Sequence, residues 1–180
     1  MQHKILIAGI GNIFLGDDAF GVEVAQRLSR RKLPDCVRVA DFGIRGLDLA
    51  YALMDGYDLT ILVDAAPRGD APGTIYTIEP DLEHVLMPDL ATVDGHAMNP
   101  MNVFALVKSM GGRCRRILIV GCEPEPLLEE DGRMGLSEPV SGAVDQAIEV
   151  IETLIAKELA NHSPEAYSQI PEPATLDGSS

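Results

Sequence analysis

Leu59-Thr60-Ile61-Leu62-Val63-Asp64 is an apolar, β-branched run closed by a carboxylate. It does not alternate with polar residues, so it reads as a strand covered on both faces, which is the habit of parallel sheets. Ile5-Leu6-Ile7-Ala8-Gly9 and Ile117-Leu118-Ile119-Val120-Gly121 have the same character, and Val37 to Ala40 is a shorter fourth run. Between them, Phe20, Val22, Val24, Ala25 and Leu28 recur at helical spacing, as do Leu47, Leu49, Ala50, Leu53 and Met54. This β-α-β-α-β alternation predicts an α/β fold, a three-layer sandwich whose mostly parallel, twisted central sheet is flanked by helices. Ala71 to Glu79 (APGTIYTIE) opens on Pro-Gly and then alternates, which predicts one antiparallel edge strand. Asn99 and Pro100 suit the N-cap and first position of a third helix through Met110. Ser137-Glu138-Pro139 opens a long last helix through about Ala160, whose Val140, Val144, Ala147, Ile148, Ile151, Leu154, Ile155 and Leu159 form a broad apolar stripe.

The 180 residues fit a single domain over 1–162. From 163 to 180 the chain turns to Ser, Pro, Glu, Ala and Gly without Lys or Arg, and an acidic, disordered tail is expected there. With 28 acidic against 14 basic residues the net charge is −14, which opposes a phosphate backbone, so no nucleic-acid partner is expected. Cys36, Cys114 and Cys122 are odd in number and lack C-x-x-C spacing, which excludes a disulfide framework and a Cys-rich zinc site. The opening MQHKILIAGIGN runs into glycines rather than a cleavage site, and no apolar run approaches the length of a membrane span. A cytoplasmic protein without a membrane partner is the expectation.

After the first strand, Gly9-Ile10-Gly11-Asn12-Ile13-Phe14-Leu15-Gly16-Asp17-Asp18 invites a dinucleotide-binding reading. Phe14 stands where that motif needs its third glycine, and Asp17 and Asp18 place negative charge where a pyrophosphate would sit. There is no H-E-x-x-H and no G-x-S-x-G, so the common metallopeptidase and hydrolase signatures are missing. Cys122 follows a strand and could be a nucleophile, although a free Cys is more often a small buried hydrophobe.

Open α/β sheets build their sites outside the carboxyl ends of their strands. In a 2-1-3 strand order, Asp18 after strand one and Asp64 ending strand three face one crevice, with Asp41 at the end of strand two just beyond. His96, in a turn-rich segment before the third helix, is the third candidate. Two carboxylates and an imidazole suit a divalent transition metal such as nickel or zinc. His3, His84 and His162 are weaker candidates by position. Each chosen residue has a plainer role available, with Asp18 at a helix start, Asp64 and Asp41 at strand ends and His96 as a helix cap; only the joint pattern favours a site.

Taken together, these segments resemble the hydrogenase maturation endopeptidases, which process the large subunit of nickel-iron hydrogenases. The matching segments are Gly9 to Asn12 with Asp17 to Val22, Asp41 to Gly46, Val63 to Ala65, His96 to Pro100 and Val120 to Pro124. They occur in family order over about residues 4 to 160. The resemblance implies metal-binding and catalytic positions at Asp18, Asp64 and His96, and a substrate-engaging loop with Asp41, Gly43 and Gly46. It implies that the metal is the nickel already installed in the precursor, bound transiently, with zinc or another divalent ion as an in vitro substitute. It also implies removal of the precursor's C-terminal extension by a monomeric enzyme. A non-catalytic nickel-loading sensor or chaperone of the precursor is the alternative. Two departures stand out: the first ligand position is often Glu and is Asp18 here, and a Thr frequent in the second loop is Ile44. Between Gly69 and Val107 the chain holds Asp70, Glu79, Asp81, Glu83, Asp89 and Asp94 and no Lys or Arg, so the surround of His96 is acidic and would attract a cation or a basic peptide.

Overall fold

A computed structural model describes residues 3–82, 99–126 and 134–162. The apolar runs form β1 (Ile5–Ile10), β2 (Val37–Gly43), β3 (Leu59–Ala65), β4 (Ile75–Ile78) and β5 (Arg116–Cys122). The helices are α1 (Phe20–Leu28), α2 (Gly46–Met54), α3 (Pro100–Ser109) and α4 (Glu138–Asn161). One sheet holds all five strands in the order β2-β1-β3-β5-β4. The pairs within β2-β1-β3-β5 are parallel, and β4 runs antiparallel to β5 as the edge.

Alternation along each strand sends side chains to two separate cores. Ile5 and Ile7 of β1, Leu59, Ile61 and Val63 of β3, and Leu118 and Val120 of β5 pack under α1 and α4. Leu6, Ala8 and Ile10, with Leu62 and Ile117, pack under α2 and α3. The central strands are therefore apolar on both faces, and each fully buried Ile or Leu contributes roughly 1.5–3 kcal/mol. Asn99 caps α3 by accepting the Met101 N–H at 2.9 Å, with Pro100 as the first helical residue.

Two boundaries and one helix cap differ from the sequence reading. β2 runs on to Gly43, because its pairing with β1 continues through an irregularity that sets Ile10 opposite Gly43. β4 starts only at Ile75, because Thr74 N–H turns back to the Ala71 carbonyl and Gly73 takes φ +83°. Ser137 stands at the N-cap of α4, but its hydroxyl does not cap the helix and donates to Asp17 instead.

Candidate functional site

The crevice opens where β1 and β3 end side by side. Past Ile10 the chain turns through Gly11 at φ +128° and reaches a short 3-10 turn, Gly16–Ala19, that leads into α1. Asp18 sits in that turn and its Oδ2 accepts the Asn12 N–H at 2.6 Å. Burial raises the Asp18 carboxyl above its ordinary value, and the Asn12 amide works against that rise. Asp64 is the penultimate residue of β3 and is only 7% exposed. Burial first, and then the charge of Asp18, push its carboxyl from 3.8 up to about 7, against the opposing Ala65 N–H. The structure thus brings Asp18 and Asp64 into electrostatic contact, as two acidic oxygen donors that repel each other. That donor set fits a divalent cation, which would remove the repulsion. His96 lies outside the described residues, as does the tail beyond His162.

The same loop explains why a nucleotide reading fails. A Cβ on Gly11 would lie 1.8 Å from the Asp18 carbonyl oxygen, so this glycine admits the chain's own turn rather than a pyrophosphate. The Asn12 N–H, which would face a phosphate, is taken by the Asp18 carboxylate.

Asp41 is exposed and pairs with Gly9, which in turn pairs with Val63. That row is one residue off the row of Asp64, so alternation places Asp41 on the opposite face of the sheet, at the rim. Gly43 takes φ +53°, and its carbonyl accepts the Gly11 N–H at 3.0 Å, tying the first and second loops together. Gly46 begins α2. Around these loops Ile13, Phe14, Leu15, Ile44 and Leu47 are half exposed or more. Such an apolar rim suits a protein surface better than a small polar ligand.

Sequence reasoning passed over four residues here. Asp64, Gly121 and Tyr76 lie in one row across β3, β5 and β4. Gly121 has no side chain, and the Tyr76 ring fills the space, so close that a Cβ there would lie 2.2 Å from the ring. Tyr76 Oη donates to the Ala66 carbonyl at 2.7 Å, and the Arg68 guanidinium lies 4.9 Å from the ring centre. Burial and then the Asp64 charge push the Tyr76 hydroxyl up to about 12, so it stays a proton donor beside the crevice. Glu123, also buried, accepts the Arg68 N–H at 2.7 Å and the Gly69 N–H at 3.2 Å. Desolvation opposes its charge, but the Arg68, Gly69 and Asp70 amides outweigh it and hold the carboxyl below its usual range. In the sequence Tyr76 stood only as part of an edge strand, and Gly121 and Glu123 lay within the Val120 to Pro124 segment without a role of their own.

Asp17, the fourth, is a buried clasp. It accepts the Ser137 N–H at 2.6 Å, the Ser137 hydroxyl at 2.8 Å and the Glu125 N–H at 2.8 Å, tying the turn that carries Asp18 to the start of α4. Asp17→Ala strands those donors and is expected to cost about 3 kcal/mol in urea unfolding. Cys122 is fully buried, and burial followed by Asp17 and Glu123 pushes its thiol up to about 12, which suits packing rather than attack.

A protein-family model described as hydrogenase maturation protease matches residues 22–154. A protein of Methanocaldococcus jannaschii is 37% identical over 156 residues, covering 83% of this chain and 95% of that one. The hydrogenase 2 maturation protease of Escherichia coli is 29% identical over 150 residues, 82% of this chain and 88% of its own. Among solved structures, the hydrogenase maturating endopeptidase HybD from E. coli superposes with a TM-score of 0.67 at 27% identity, over 86% of this chain and 93% of that one.

Proposed function

The chain belongs to the hydrogenase maturation protease family, and from that premise we propose that it removes the C-terminal extension of a nickel-iron hydrogenase large-subunit precursor after nickel has been inserted. The observation that carries the reading is the pair Asp18 and Asp64, two carboxyls raised by burial and, at Asp64, by mutual repulsion at the carboxyl end of the sheet. Together with His96 they would hold the precursor's nickel, and the nickel would supply polarisation of the scissile carbonyl or of the attacking water. The residues of this chain do the remaining work. Asp18 is fixed by the Asn12 amide and Asp64 by its strand, so the two donors are placed before the precursor arrives. The apolar rim on the first two loops would receive the precursor's surface, with Asp41, Gly43 and Gly46 along the second loop.

Incubating the protein with nickel-loaded and nickel-free precursor, and weighing the large subunit by mass spectrometry, tests this directly. Loss of a C-terminal peptide only from the nickel-loaded form is the expected result. Asp18→Ala and His96→Ala should each abolish that loss while leaving the circular dichroism spectrum unchanged. A tight complex with no shortened product would instead mark a nickel-loading sensor or chaperone. Cleavage retained by both variants would remove the assignment of these residues.

A further inference from the structure

At the other end of the sheet, around the amino ends of the parallel strands, His3, Glu158 and His162 converge, each offering one donor atom within 4.8 Å of the others. His3 precedes β1, while Glu158 and His162 stand one turn apart at the end of α4. Glu158 is only 4% exposed, a burial that a carboxylate tolerates when paired. Its two oxygens face different partners. Oε2 accepts from Arg116 Nη1 at 2.7 Å. Oε1 faces His3 Nε2 at 3.1 Å, while His162 Nδ1, 3.7 Å away, donates to the Glu158 backbone carbonyl at 2.8 Å, so Nε2 is the nitrogen His162 would offer a metal. The imidazole rings stack with centroids 4.1 Å apart and planes 21° from parallel.

The surround is built for a cation. Asp58 Oδ2 lies 3.6 Å from His3 Nδ1, beyond hydrogen-bond length, and adds negative charge beside that ring. Arg116 is also held by Glu79, at 2.9 and 3.1 Å, and Arg115 pairs with Asp58. Three carboxylates (Asp58, Glu79 and Glu158) thus stand against two guanidiniums, leaving one negative charge before any metal binds. Two imidazoles and one carboxylate form a donor set suited to zinc and its borderline neighbours.

We propose that His3, Glu158 and His162 form a second metal site, for zinc or a similar divalent transition ion, that fastens the segment before β1 to the end of α4. Asp18 and Asp64 lie at the opposite end of the strands, so the two sites are separable.

The test uses untagged protein carrying Asp18→Asn and Asp64→Asn, which removes the crevice donors, in equilibrium dialysis against Zn2+. One equivalent should bind, and Co2+ in its place should show the visible absorption of a four-coordinate site. Adding His3→Gln and His162→Gln should weaken Zn2+ binding at least tenfold and erase the Co2+ spectrum, with far-ultraviolet circular dichroism confirming the fold. Absence of Zn2+ from the crevice-blocked protein, or binding that survives loss of both histidines, would overturn the proposal.

Discussion

Asp64→Asn is expected to abolish precursor processing to background while making the metal-free protein more stable at pH 8. The two effects share one cause. In the folded chain the Asp64 carboxyl is pushed from 3.8 up to about 7 by burial and by Asp18. The folded state therefore holds this proton more tightly than the unfolded chain, and stability falls as pH rises from about 4 to about 7 and is level above. The rise corresponds to roughly 4 kcal/mol once the group is ionised in both states. An Asn keeps an oxygen to accept the Ala65 N–H and carries no charge, so it escapes that penalty. Urea unfolding of EDTA-treated parent and variant across pH 4 to 9 checks this. The stability gap should open between pH 4 and 7, and a variant less stable than the parent at pH 8 would contradict the cause. Mass spectrometry of nickel-loaded precursor measures the loss of processing.

The strands were legible because buried parallel strands leave unbroken β-branched runs, and three of them dominate the chain; the 2-1-3 order was only assumed, and the places of β5 and β4 beside β3 come from the folded sheet. Asp64 was legible for the same reason, since a carboxylate closing such a run stands at the carboxyl edge of the sheet. Asp17 was not. It resembles the acids that decorate helix starts, and its role depends on Ser137 and Glu125, which only the folded chain brings to it. Tyr76 was hidden in the same way, because its place beside Asp64 comes from the register of β4 on β5 and from the missing side chain of Gly121. The cluster of His3, Glu158 and His162 joins residues from both ends of the sequence, where spacing carries no signal. Local pattern reveals elements and their edges; contacts between distant edges depend on register.

Gly21→Ala is expected to cost at least about 4 kcal/mol and to take processing with it, a large share of the 5–15 kcal/mol typical of a domain. A Cβ on Gly21 would lie 2.0 Å from the Val63 carbonyl oxygen and 2.3 Å from that of Ile10. Both are backbone atoms at the ends of β3 and β1, so neither can swing away. Gly9 meets the same helix from below, with a Cβ there 2.2 Å from the Gly21 carbonyl oxygen. The first turn of α1 therefore rests directly on the seam between β1 and β3, backbone against backbone. An added methyl would lift α1 from the sheet, opening the contacts of Phe20, Val24 and Leu28 and carrying Asp18 away from Asp64. Gly142→Ala, at an exposed position in α4 with no atom near the added Cβ, is the matched control and should gain about 0.5–1 kcal/mol. Thermal and urea unfolding of the pair decides the matter. Equal stabilities would mean that α1 does not depend on this contact. Gly9, one of the glycines that suggest a nucleotide loop, thus has a different physical use, letting α1 approach the sheet closely enough to hold one carboxylate against another.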